Sequence, residues 1–297
     1  MNKLFTFGCS FTKSDREPNW PTWADILGRG FKYYKNWGHA GGGNSFIFYR
    51  LMECIKREQI TSHDTVIIMW TNIAREDRYI DNFGWITPGN IYSQTFYDQN
   101  FVQKCADPTG YLIKDMATIA AAKYILESIG CKFYFLSTVP LSVYDDHWCS
   151  SFGIDNEILK LYREEINFIK PSVYSVVFNN DWYSRVGFID KKELNREYNA
   201  IAGPDWPSWE KFLQHDFQGV PTVVKKEIAS HNFAKRLATR TNTHPLPSEH
   251  LIYLEQILPD LAIDQTTRLL VEQTTDAILK HKPLVKWWGK KCNPETF

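Results

Sequence analysis

Apolar positions along the chain fall into two patterns, short continuous runs and longer stretches with helical spacing, and the two alternate through the first half. The runs 3–8 (KLFTFG), 31–38 (FKYYKNWG), 63–72 (HDTVIIMWTN) and 131–139 (CKFYFLSTV) read as strands. The third is β-branched and lacks polar alternation, as expected of a parallel strand covered on both faces. Between them, 19–30 (NWPTWADILGRG) reads as a helix closed by glycines. Residues 44–59 (NSFIFYRLMECIKREQ) carry apolar groups at helical spacing behind a cap at Asn44 or Ser45, and 114–130 (KDMATIAAAKYILESIG) reads as a further helix. Strand and helix thus alternate four times. That order predicts an α/β fold, a three-layer sandwich with a mainly parallel, flavodoxin-like doubly wound sheet.

Two stretches interrupt the alternation. Residues 76–112 are turn-rich and aromatic and read as an excursion from the sheet. Residues 140–240 form a long insert, with a helical pattern at 154–169, a short strand at 172–178 (SVYSVVF) and a Pro- and Trp-rich stretch at 202–217 suited to a surface cap. The segments PSEHLIYLEQIL (247–258) and DQTTRLLVEQTTDAILKHK (264–282) read as two closing helices. No repeat, low-complexity tract or linker divides the chain, so residues 1–297 are expected to form one domain with insertions at about 76–112 and 140–240.

Charge narrows the partners. The 34 Lys and Arg residues balance 34 Asp and Glu, which leaves no strong field of either sign for nucleic acid or an anionic membrane surface. A small-molecule or glycan substrate is the expected partner, since the 15% aromatic content supplies planar surfaces as well as a large core. The six cysteines are scattered, without C-x-x-C or metal-finger spacing, which suits free thiols in a reducing compartment. The apolar N-terminal run is too short for a signal peptide, and no stretch approaches the roughly 18 to 20 apolar residues that span a bilayer. A soluble, cytoplasmic protein is expected; the oligomeric state is left open.

In open α/β sheets ligands gather at the carboxyl ends of the strands, and here those ends are chemically loaded. Ser10 follows the first strand, GHAGGG the second and WTN the third, and THPLPSEH precedes a helix near the C-terminus. Each has an ordinary explanation: Ser10 as a turn or cap residue, the glycines as a positive-φ turn, Asn72 as a strand-end cap, His244 as a turn histidine. The glycines are not a P-loop, because no G-K-[ST] follows, and they do not fit a dinucleotide fingerprint. His244 and His250 make no convincing metal set. No metal and no cofactor are implied.

Taken in order, these blocks resemble the SGNH (GDSL-type) hydrolases, and most nearly their phage-associated branch. FTFGCSFT matches the block that carries the nucleophile and places it at Ser10. NWGHAG matches the N-x-G-x-x-G block through Asn36, Gly38 and Gly41, and WTN places Asn72 in the third block, with Trp70 and Ile73 departing from its glycine and aspartate. WTNIAR adds the W-T-x-x-x-R pattern through Arg75, and TNTHP places His244 in the last block. The resemblance covers roughly residues 1–139 and 241–260. It implies a serine esterase that removes an acyl group such as acetate from a carbohydrate or related hydroxylated substrate. Ser10 would be the nucleophile and His244 its base; Gly41 and Asn72 would be oxyanion donors beside the Ser10 N–H, and Trp70 and Arg75 would bind substrate.

The main departure from the family pattern is that the aspartate expected two or three residues before the His-Pro pair is absent, and Thr241 and Asn242 stand there instead. A Ser-His dyad oriented by a neutral group, an acid supplied from elsewhere, and a degenerate protein that only binds are all compatible with this. An acyltransferase would use the same acyl-enzyme. His250 is a second candidate base, in a helical context that favours packing.

Overall fold

A computed structural model describes residues 3–13, 20–92, 96–145, 150–180, 195–196, 198–200, 202–204, 206–208 and 244–280. Four parallel strands form its central sheet: β1 (Lys3–Phe7), β2 (Tyr33–Asn36), β3 (Thr65–Trp70) and β6 (Lys132–Ser137), in the order β2-β1-β3-β6. Counted along the sheet this is the flavodoxin-like order, with the first strand inside and the second at the edge.

Side chains of the sheet alternate between two cores, as the period of a strand requires. Leu4, Ile67, Met69 and Leu136 point to one face. There they pack against α1 (Trp23–Gly28) and, in the C-terminal region, α8 (Pro247–Ile257) and α9 (Gln265–Leu279). Phe5, Phe7, Val66, Ile68, Trp70 and Phe135 point to the other, against α2 (Asn44–Glu58) and α4 (Pro108–Ile129). Every residue of β3 is buried, so a polar alternation there would have put polar groups into one core or the other. At about 1.5–3 kcal/mol for each fully buried Val, Ile or Met, this strand is the hydrophobic keel of the fold.

Three readings of the sequence change. The excursion is smaller than 76–112 and partly regular. It contains a hairpin of β4 (Arg78–Ile80) and β5 (Gly84–Ile86) and a helix α3 (Gln99–Cys105). The next helix, α4, begins at Pro108 rather than near 114: Asp107 caps it by accepting from the Gly110 N–H, proline takes the first helical position, and Tyr111 and Leu112 are buried. Residues 172–178 are not a strand. Beyond the short hairpin of β7 (Val143–Asp145) and β8 (Ser150–Ser151) and the helices α5 (Glu157–Leu161) and α6 (Arg163–Phe168), they form a turn of helix, α7 (Val173–Val176). Ser172 starts α7 by accepting from the Ser175 N–H, so a local cap outweighs the β-branched residues. Most of the proposed cap at 202–217 lies outside the described residues.

Among the described residues no helix is long and apolar enough to cross a membrane, and no cluster of three or more His, Cys, Asp or Glu has metal-site geometry. Cys9, Cys54, Cys105 and Cys131 are free thiols.

Candidate active site

The chain leaves β1 through a turn knotted around Thr12. The Thr12 N–H donates to the Cys9 carbonyl (2.9 Å), and its own carbonyl accepts from Asn36 Nδ2 (2.8 Å) and Thr22 Oγ1 (2.6 Å). Its hydroxyl accepts from Trp23 Nε1 (3.3 Å) and fills the space beside Gly8, where a Cβ would come within 2.0 Å of Oγ1. Ser10 sits in this turn, partly exposed and directly after the buried Cys9. The exit of β2 lies alongside: Trp37 N–H donates to the Thr6 carbonyl (2.8 Å) and His39 N–H to the Gly8 carbonyl (2.9 Å). Two residues on, Gly41 adopts φ +76°, and a Cβ there would lie 2.0 Å from the Thr87 carbonyl oxygen. Only glycine fits on both counts. Thr87 also donates its hydroxyl to the Ala40 carbonyl (2.9 Å), which fixes the peptide plane that carries the Gly41 N–H.

At the end of β3 the polar groups interlock. Asn44, the first residue of α2, brackets Thr71: its Oδ1 accepts from the Thr71 N–H (2.9 Å), and its Nδ2 donates to the Thr71 carbonyl (3.1 Å) and to Asp115 Oδ2 (2.9 Å). The residue that caps α2 is Gly43, so the expected capping role of Asn44 or Ser45 is replaced by this tertiary bridge. Gly43 donates its N–H to both oxygens of Asp77 (3.1 Å each). Asn72 is buried; its Oδ1 accepts from Arg75 Nε (2.7 Å) and from Thr71 Oγ1 (3.2 Å). The Arg75 Nη1 also donates to the carbonyls of Gly41 (3.2 Å) and Gly42 (3.4 Å). Asn72 Nδ2 is buried and has no partner in the structure. Among the described residues, the N–H groups of Ser10 and Gly41 likewise donate to no protein acceptor. Three unspent donors thus stand on neighbouring loops at the carboxyl edge of the sheet.

His244 comes from the other end of the chain. Its Nε2 lies 2.7 Å from Ser10 Oγ, and its ring packs at 4.8 Å on Phe11. The turn that carries it is fixed where α8 starts. The Leu246 N–H donates to Glu249 Oε2 (2.6 Å), Pro247 takes the first turn, and the Ser248 N–H donates to Thr275 Oγ1 of α9 (3.0 Å). Thr241 and Asn242 lie outside the described residues.

Burial sets the electrostatics. It raises Asp77 to about 6, against the Gly43 N–H and Arg75, and Asp115 to about 7, against Lys114 and Asn44. Both carboxyls lie in the network behind Asn72 and the glycine loop. On the other face, burial and the neighbouring His244 lower His250 to about 3, so it stays neutral, enclosed in the core with its Nδ1 unpaired. Burial also lowers His39, helped by Lys13 and Arg50.

Of the residues singled out in the sequence, Ser10 and His244 meet directly, and Gly41 and Asn72 are joined through Arg75. Two residues expected to bind substrate are placed as follows. Trp70 is fully buried, edge to face with Phe135 at 5.3 Å, because its position in β3 points it into the core on the α2 and α4 side. The Arg75 guanidinium donates to Asn72 and to the glycine loop. Asp115 went unnoticed in the sequence, and Asn44 was read there only as a helix cap. A polar residue at the buried start of α2 and an aspartate within the apolar pattern of α4 were the available signals.

No family model matches the chain, and no curated protein matches it. Solved structures that resemble it include a member of the lipolytic protein G-D-S-L family from Veillonella parvula DSM 2008 (16% identity, TM-score 0.36, covering 64% of this chain and 87% of that one). Another is a catalytic mutant of Axe2, an acetylxylan esterase from Geobacillus stearothermophilus (13% identity, TM-score 0.37, covering 88% and 94%). At these identities and TM-scores neither likeness bears on the reaction.

Proposed function

We propose that the protein is a serine esterase working through an acyl-enzyme, with Ser10 as nucleophile and His244 as its base. The observation that carries this reading is the 2.7 Å approach of His244 Nε2 to Ser10 Oγ, across 234 residues of sequence. A serine hydroxyl is a poor nucleophile at neutral pH and needs a base within about 2.6–3.2 Å.

In the reaction, His244 Nε2 takes the Ser10 proton as Oγ bonds to the ester carbonyl carbon. The carbonyl oxygen becomes an oxyanion that the Ser10 and Gly41 N–H groups and Asn72 Nδ2 stabilise, each such donor being worth about 2.7–4 kcal/mol. Collapse breaks the C–O bond, and the imidazolium gives its proton to the departing alcohol. Water, deprotonated by the same imidazole, then attacks acyl-Ser10, and the imidazolium returns that proton to Ser10 Oγ as the acid departs; a hydroxyl acceptor in place of water would make the enzyme an acyltransferase.

The substrate class in this reading is an acylated, in particular acetylated, carbohydrate or a related hydroxylated molecule, taken up by a single cytoplasmic domain of the phage-associated SGNH branch. The sequence motifs support it, as does an aromatic platform next to the Gly41 loop. Trp85 of β5 is flanked by Phe46 (5.3 Å), Tyr49 (5.4 Å) and Tyr79 (5.8 Å), and Tyr49 and Tyr79 are exposed. Flat amphipathic rings of this kind suit the faces of sugar rings. The test is hydrolysis of 4-nitrophenyl acetate and of acetylated oligosaccharides by the purified protein. Activity that disappears in Ser10→Ala supports the assignment, and equal activity in the two proteins overturns it.

A further inference from the structure

Arg75 is the residue that ties the donor loops together, and its chemistry dictates how Asn72 faces the site. A primary amide can present either its oxygen or its nitrogen to a substrate, and only the nitrogen stabilises an oxyanion. The guanidinium donates and never accepts. With Nε 2.7 Å from Asn72 Oδ1, the flipped amide would set NH₂ against N–H and leave both unsatisfied. The amide is therefore locked with Nδ2 free, and that nitrogen is the buried atom without a partner. The same guanidinium reaches the Gly41 and Gly42 carbonyls through Nη1. It thereby holds the peptide that follows the Gly41 donor, while Thr87 holds the one that precedes it.

The backbone is bent to make this possible. Ala74, fully buried, adopts φ +65° and turns the chain so that Arg75 folds back over Asn72. A non-glycine residue in that left-handed region is strained. The Ala74 carbonyl accepts from the Ile91 N–H (2.9 Å), and Arg75 pairs with Asn90, which hold the bend in place.

We propose that Arg75 is a positioning residue of the esterase. It orients the Asn72 amide and the Gly41 loop as one oxyanion-binding unit and does not bind substrate. The proposal rests on the reading of Ser10 and His244 given above. It is tested by steady-state hydrolysis of 4-nitrophenyl acetate with wild type, Asn72→Ala, Arg75→Ala, Arg75→Lys and the Asn72→Ala/Arg75→Ala double variant, each checked for folding by circular dichroism. Removing one oxyanion donor costs about 10²–10³ in kcat. Arg75→Ala is expected to lower kcat by roughly 10- to 100-fold with KM within about twofold, and the double variant to lose clearly less than the product of the two single losses, the remaining loss below Asn72→Ala coming from the Gly41 contact. Arg75→Lys, which keeps the charge but cannot bridge Asn72 and Gly41 in the same fork geometry, should fall between wild type and Arg75→Ala; it carries the test if Arg75→Ala does not fold. A raised KM with kcat retained would make Arg75 a substrate clamp, and losses that multiply in the double variant would make it independent of Asn72; either result overturns the proposal. A wild type without activity overturns the esterase reading and takes this assignment with it, whereas an active wild type with an unimpaired Arg75→Ala overturns this assignment alone.

Discussion

The two halves of the candidate site come from different parts of the chain and meet different neighbours among the described residues. The donors at the ends of β2 and β3 rest on a partly buried polar lattice in which Arg75, Asn44, Asp77 and Asp115 hold the Gly41–Gly43 loop and Thr71–Asn72. On the side of the base, among the described residues, His244 lies on Phe11, and Glu249 and Thr275 fix the first turn of α8. Donors must point at an oxygen that bears charge only in the transition state, so they need directional restraint, supplied here by hydrogen bonds whose polar partners are themselves buried at a cost.

The contrast breaks first, and hardest, at the reacting pair. Ser10→Ala and His244→Ala are each expected to lower kcat by about 10⁴-fold or more, with the double variant little worse than either, because the two act as a unit. Steady-state kinetics on an aryl acetate checks this, and losses that multiply would separate the residues. Next comes the donor side. Gly41→Ala places a Cβ 2.0 Å from the Thr87 carbonyl at a φ that alanine resists, so it should cost both kcat and thermal stability. An Ala at Thr87 removes the hydroxyl that fixes the neighbouring peptide and should cost kcat alone.

The two halves should also differ in sign against pH. Asp115 keeps its proton to about 7 in the folded protein, compared with 3.8 for an ordinary aspartate, and Asp77 behaves the same way up to about 6. Folding takes up protons through that window, so their contribution to stability is present at acid pH and is lost as pH rises toward 7. His250 has the opposite linkage: its folded pKa lies near 3 against the ordinary 6.5, so its contribution is present above 6.5 and is lost as pH falls. Denaturant unfolding from pH 4 to 8 should show the falling component removed in Asp115→Asn and the rising one removed in His250→Leu. The same slope in wild type and either variant would contradict the corresponding assignment.

The smallest expected effect is at Ala74. Ala74→Gly relieves the left-handed strain but frees the unfolded chain, for a net change in stability within about 1 kcal/mol. A loss of activity without a loss of stability would show that the stiffness of this bend serves the Arg75 contact.

What could be read in the sequence follows the same division. Apolar runs and their spacing placed the four sheet strands and most flanking helices, since one strong period governs each. Ser10, Gly41 and Asn72 stood out because strand ends are where an open sheet exposes chemistry, and His244 because it adjoins a proline just ahead of a helix. The orientation of side chains did not stand out. Trp70 occupies a strand end, yet its parity in β3 turns it into the core, and Arg75 folds back only because Ala74 takes a backbone angle that alanine rarely adopts. The pairing of Asn44 with Asp115 spans 71 residues and joins two helices; no local pattern encodes such a contact. The start of α4 was legible in the Asp107–Pro108 pair, where cap chemistry precedes the apolar period.

The account turns on Ser10 being a nucleophile activated by His244, and covalent labelling tests it most directly. Wild type, Ser10→Ala and His244→Ala are each treated with a fluorophosphonate and measured by intact-protein mass spectrometry with peptide mapping. The account predicts a single adduct on Ser10 in the wild type, none in Ser10→Ala, and strongly slowed labelling in His244→Ala. An unlabelled wild type, or an adduct that persists unchanged when Ser10 is alanine, would contradict it.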